Sequence, residues 1–198
     1  GKLPRNETFI VGHQVPGTDV WDNFNPFMPG FNSVTGYINA VMELPFYMDD
    51  NTVIYPWLAK EWAYSDDGTS FTLTIVDNAN WNDGSPLTID DWLFTIDYYI
   101  KNADKIGAGV ALSTTVESVK ADGTDKLVFA FREPSYRFHM TFVNGFYILS
   151  KAVWEGQDPA EFKNPTASGP GPYKLVSTNP ETRLVIWERR DDYWNKDQ

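Results

Sequence analysis

Adjacent acids, Asp66-Asp67, Asp90-Asp91 and Asp191-Asp192 among them, are the residues in this chain that most readily suggest chemistry. Two carboxylates on either side of a glycosidic bond can hydrolyse it. Each pair also has a structural use: Asp66-Asp67-Gly68 and Asp191-Asp192 have turn composition, and Asp90-Asp91 stands where a helix begins and its dipole favours negative charge. His13 and His139, the only histidines, are far apart, and neither His-x-x-x-His nor Gly-x-Ser-x-Gly occurs. With no cysteine, thiolate zinc sites, cysteine nucleophiles and disulfides are excluded. Asn78-x-Asn80-x-Asn82 imitates the start of a calcium loop, but Asp83 stands where the loop needs Gly and Ile89 where it needs Glu. Gly169-Pro170-Gly171 lacks the Gly-Lys-Ser/Thr of a phosphate loop, and its prolines remove the N–H donors of such a cradle. No catalytic residue, metal site or cofactor is expected, and the protein is not expected to be an enzyme.

Binding is the remaining chemistry, and the rings point to it. Phe, Trp and Tyr make up 16% of the chain. Indole and phenol rings join a broad apolar face to a polar edge, which suits the C–H faces of sugars and the side chains of peptides alike. Most rings must nevertheless serve the core; Phe71, Leu73 and Ile75 alternate with Thr72 and Thr74 as a half-buried strand requires. The net charge of −11 opposes a phosphate backbone, so no nucleic acid partner is expected, and anionic membrane surfaces are disfavoured by the same sign. No apolar run reaches the roughly 18 residues of a bilayer span, so no direct membrane insertion is expected. Gly1-Lys2-Leu3-Pro4 lacks the apolar core of a signal peptide, so the chain is expected to be mature or trimmed.

The elements that must position these groups follow from pattern. Thr8–Gly12 reads as a short buried strand, followed by an irregular stretch from His13 to Gly36. Short helices are expected over Tyr37–Leu44, Pro56–Trp62 and Leu149–Glu155. A longer helix, with Thr88 as N-cap, runs to Lys101 or Asn102. Strands are expected at Ser70–Val76, Val116–Lys120, Lys126–Phe131, Tyr173–Val176 and Arg183–Glu188, the last two around a turn at Asn179-Pro180.

Several blocks together resemble the extracellular solute-binding proteins of family 5, which feed oligopeptide-type ABC importers. They are Pro56 with Leu58-Ala59-Lys60-Glu61-Trp62, Asp67-Gly68, the Trp81-Asn82-Asp83-Gly84-Ser85-Pro86-Leu87-Thr88 turn and Asp90-Asp91-Trp92. Gly169-Pro170-Gly171-Pro172-Tyr173-Lys174-Leu175 and Arg190-Asp191-Asp192-Tyr193-Trp194 complete the set. The resemblance implies a mixed α/β (α+β) fold: a type II periplasmic-binding-protein-like lobe with an inserted α+β subdomain. Residues 1–52 and 165–198 would form a discontinuous sheet domain, and residues 53–164 the insertion. Because family members are longer, the second lobe is expected to be absent and the chain to be an N-terminal fragment with half of a cleft. Leu3-Pro4-Arg5 with Thr8 resembles the oligosaccharide-binding branch.

That resemblance implies capture of an oligosaccharide, or alternatively an oligopeptide, for delivery to a membrane permease, in the periplasm or outside the cell. A carbohydrate-active or signalling module using the same lobe is the other class. Candidate ligand contacts fall in three segments: Trp21, Asn23, Phe24, Asn25 and Phe27; Gly107 and Gly109 within Lys105–Val110; and Asn144 and Phe146 within Asn144–Tyr147. Each segment also has a structural explanation: a loop anchored to the sheet, a helix ended by Gly107, and a tight turn.

Overall fold

Alternating apolar residues on Ser70–Ile75 and Lys126–Phe131 set the centre of the molecule, because Phe71, Leu73, Leu127 and Phe129 are all fully buried. The structure is a computed structural model and describes residues 8–10, 22–28, 36–143 and 145–197. In chain order its elements are α1 (Tyr37–Ala40), β1 (Phe46–Met48), β2 (Ile54–Pro56), β3 (Ala59–Tyr64), β4 (Ser70–Ile75), α2 (Ile89–Lys101) and α3 (Gly107–Thr115). There follow β5 (Val116–Asp122), β6 (Lys126–Phe131), a 3-10 turn over Phe138–Phe142, α4 (Lys151–Trp154), β7 (Tyr173–Asn179) and β8 (Leu184–Arg189).

The main sheet is antiparallel in the order β3-β4-β6-β5, with Phe71 opposite Phe129 and Leu73 opposite Leu127. Its buried face meets α2 through Trp92, Ile96 and Tyr99 in one large apolar cluster. Phe142 stacks on Phe71 with ring centroids 5.9 Å apart, closing the end of that cluster. Helix α2 starts as its sequence requires. The Thr88 N–H donates to the Asp91 carboxylate at 3.0 Å, the return arm of a capping box. Asp91 also accepts the Lys151 N–H at 2.9 Å, fixing the start of α4.

A smaller cluster joins distant parts of the chain: Phe24, Tyr37, Val41, Met42 and Ala167, packed by Leu175, Val185 and Trp187 of the β7–β8 ribbon. The Gly169-Pro170-Gly171 block crosses beneath Val41. A β-carbon at Gly171 would lie 2.6 Å from the Val41 carbonyl oxygen, and the Gly171 N–H donates to that oxygen at 2.7 Å, so only glycine fits. Three of the sequence blocks then meet at one side chain. Arg190, buried to 3%, donates to the carbonyls of Asn80, Trp81, Pro170 and Gly171 and pairs with Asp192 at 3.2 Å. Three and four residues beyond Arg190, Tyr193 and Trp194 both donate to the buried carboxylate of Glu43.

Several expectations are corrected. Pro56–Trp62 is not a helix but the end of β2, a crossing at Trp57-Leu58 and the start of β3. Its Leu-Ala-Lys-Glu composition favours helix, yet the ladder to β4 and the Trp62 ring, packed on Phe46 at 4.8 Å and stacked on His139 at 5.0 Å, outweigh that preference. Of Thr8–Gly12, residues 8–10 form no strand, and Phe9 and Ile10 are exposed; the remainder lies outside the described residues. Gly107 opens α3 instead of ending α2, which stops at Lys101.

Candidate functional site

A cavity of about 290 Å³ opens where three segments far apart in sequence converge, and they are the segments singled out from sequence. Pro26 and Phe27 come from the first, Lys105, Ile106, Gly107 and Ala108 from the second, Gly145 and Tyr147 from the third, with Ile38 of α1 completing the wall. A second hollow of about 670 Å³, bounded by Trp57, Tyr173, Arg189 and Tyr193, draws on none of the three segments.

The first segment is pinned, and its amides do the pinning. Asn25 is fully buried; its Nδ2 donates to the carbonyls of Pro159 and Phe162, both at 2.7 Å, and its Oδ1 accepts the Phe27 N–H at 2.8 Å. The Asn23 Oδ1 accepts the Asn25 N–H at 2.9 Å. Phe24 turns its ring into the smaller core against Tyr37 and Trp187, while its backbone bonds Lys163 and Asn164. These three residues hold the loop, and Phe27 is the member that reaches the cavity. It is half-buried, edge-on to Tyr99 and Trp154 at 5.4 Å each. Trp21 and Asn144 lie outside the described residues.

In the second segment the two glycines part company. Gly107 is exposed on the cavity wall, with open space where a β-carbon would stand. Gly109 is buried against α2, where a β-carbon would overlap the Tyr99 carbonyl oxygen, so the close backbone approach it permits is between helices. The third segment hangs on the same tyrosine. The Tyr99 hydroxyl accepts the Tyr147 N–H at 3.0 Å and donates to the Tyr147 carbonyl at 3.2 Å, leaving the Tyr147 ring half-buried at the wall. Phe146 points the other way, into the core against Tyr99 and Phe142.

Among the described lining residues Lys105 carries the only charge. Its ammonium pairs with Asp158 at 2.6 Å, and that bond raises its pKa. Burial raises the Tyr147 pKa, so its phenol stays neutral at physiological pH. Ile38 and the Tyr99 bridge were missed by sequence reasoning; a helix that stops at Ala40, short of the expected Leu44, and an interior tyrosine carry no local signal of proximity to a cavity. Among the described residues no group of three or more His, Cys, Asp or Glu side chains could hold a metal, and no helix is long and apolar enough to cross a membrane.

This mixed α/β arrangement is that of a periplasmic-binding-protein lobe. It superposes on a periplasmic oligopeptide-binding protein of an oligopeptide ABC transporter from Thermotoga maritima with a TM-score of 0.75 at 27% identity, over 87% of this chain and 32% of that one. A second structure from the same organism, described as a mannohexaose-bound oligopeptide ABC transporter protein, gives 0.73 at 24% identity, over 88% and 33%. Residues 53–198 match the model of the bacterial extracellular solute-binding proteins, family 5 Middle. The chain belongs to that family. Relatives include the "Probable peptide-binding protein YejA" of Agrobacterium fabrum, 29% identical over 99% of this chain and 32% of its own length. The dipeptide-binding protein DppE of Bacillus subtilis is 26% identical over 85% and 34%. The chain thus spans about a third of the length of these relatives.

Proposed function

We propose that this chain supplies one wall of the capture site of a solute-binding protein, which holds its ligand without chemistry and hands it to the membrane permease of an ABC importer. Its place of work is the periplasm or the outer face of the cell. The observation that carries this reading is the meeting of three chain segments at one cavity, walled by Phe27, Tyr147 and exposed backbone at Gly107. Rings and open backbone recognise shape and hydrogen bonds, as binding sites do. In this reading residues 1–52 and 165–198 form the sheet domain and residues 53–164 the insertion. The smaller apolar cluster supports that division, since it draws on residues 24–42 and 167–187 together with Tyr147.

Peptide is the preferred ligand class, supported by the names of the two relatives above. Oligosaccharide is the second reading, supported by the Thermotoga protein seen with mannohexaose and by the ring-rich wall. Calorimetric titration with di- to pentapeptides and with mannooligosaccharides, alongside an assay for released reducing ends or cleaved peptide, tests both. Gly107→Phe fills the cavity from a position where the added side chain meets open space, so binding should weaken about tenfold with the melting temperature unchanged. Binding indifferent to that substitution, or turnover of any ligand, would refute the proposal.

A further inference from the structure

Among the described lining residues Lys105 is the one charged side chain, yet its ammonium is turned to Asp158, which is not one of them. We propose, resting on the reading of this cavity as the capture site, that Asp158 is a resident competitor for Lys105 and that the cavity selects ligands ending in a carboxylate. Such a ligand takes the Lys105 ammonium over by exchange.

Four observations support the exchange. The wall otherwise offers apolar groups, the neutral Tyr147 phenol and backbone, so a carboxylate entering it meets one cation and no anion among the described lining residues. Both members of the pair remain partly solvated, with side-chain exposures of 37% and 41%, so separating them strands neither in a dry interior. Asp158 keeps another bond after release: its Oδ1 accepts the Ala160 N–H at 2.8 Å. Finally, Lys105 stands within the field of Asp104 and Glu161 as well as Asp158, so the ammonium stays charged throughout the exchange. The same acids make the preference modest, since a ligand carboxylate has to approach a cation already surrounded by anions.

The chemistry has two sources, a peptide C-terminus or a uronic acid, and the experiment separates them. Trialanine is compared with trialanine amide, and trigalacturonate with its methyl ester, by calorimetry on the protein and on Lys105→Met, Asp158→Asn and Lys105→Arg. In one of the two series the acid should bind about fivefold tighter than its neutral partner. Lys105→Met should abolish that ratio, and Lys105→Arg should keep it. Asp158→Asn should widen the ratio about threefold by removing the competitor while retaining an acceptor for Ala160. A ratio unchanged in Lys105→Met, a ratio narrowed in Asp158→Asn, or a preference for the neutral ligand overturns the inference and leaves the capture reading standing. No binding in either series overturns the inference alone, because the capture reading is tested separately by the wider peptide and mannooligosaccharide titration.

Discussion

Replacing Arg190 by Met tests the claim that the sequence blocks shared with the family are held together at one point. Arg190 is only 3% exposed, and its guanidinium serves the carbonyls of Asn80, Trp81, Pro170 and Gly171, besides Asp192. Hydrogen bonds from a charged donor contribute about 1.5–3 kcal/mol each, but they are not additive, and Trp81's carbonyl keeps the Gly84 N–H at 2.9 Å. Gly171 and Pro170 are left with buried acceptors facing a thioether. Removing one member of a buried charged network costs about 3–5 kcal/mol. Against a total stability of about 5–15 kcal/mol this is a large fraction. With a urea m-value of about 2–3 kcal/mol/M, the unfolding midpoint should fall by about 1.5 M. Equilibrium urea unfolding followed by tryptophan emission measures it. Arg190→Lys, which keeps the charge but not the planar fork, should recover less than half of the loss. A shift below about 0.4 M for Met, or full recovery by Lys, would show that the blocks cohere without the guanidinium.

Gly109→Ala should lower stability by about 1–3 kcal/mol, seen in the melting temperature, because the methyl group forces α3 away from the Tyr99 carbonyl; an unchanged value would mean that the helices separate freely. Asn25→Ala should cost about 1–3 kcal/mol and also loosen Phe27, so limited proteolysis near residues 22–28 should accelerate; equal cleavage rates would contradict the pinning role. Burial raises the Glu43 pKa against the opposing pull of its Tyr193 and Trp194 donors. The folded state therefore binds the proton more tightly than the unfolded chain, and this group's contribution is greatest below the ordinary carboxylate range and is lost as pH rises through the raised value. The urea midpoint of Glu43→Gln should accordingly show a flatter decline than the wild type between about pH 4 and 8, and identical slopes would remove Glu43 as the cause.

Local signals in the sequence locate several elements to within a residue or two. The capping pair Thr88 and Asp91 begins α2 where expected, and the Asn179-Pro180 turn separates the strands it was expected to separate. Where tertiary pairing decides, local composition misleads. Leu58 to Trp62 is made of helix formers, and only the distant β4 ladder and the Phe46 and His139 rings make β3 of it. Helix α3 escaped notice because Gly107 read as the end of the preceding helix and Gly109 as a ligand contact, when the first opens α3 and the second is a packing position under Tyr99. The candidate site was legible as segments and much less so as side chains. All three segments come to the cavity, but Asn23, Phe24, Asn25 and Phe146 are consumed by the interior, since an alternating run of rings and amides looks the same whether it faces a solute or its own chain.

Trp57 and Trp194 stand edge-to-face with ring centroids 6.0 Å apart, and the second is tethered to Glu43 by its indole N–H at 2.9 Å. Two indoles this close share their excited states, so the pair should produce a couplet in the ultraviolet circular dichroism that isolated chromophores do not. That spectral signature joins positions 57 and 194 of the polypeptide, which makes the molecule its own optical gauge of whether the β7–β8 exit remains seated, with no dye attached.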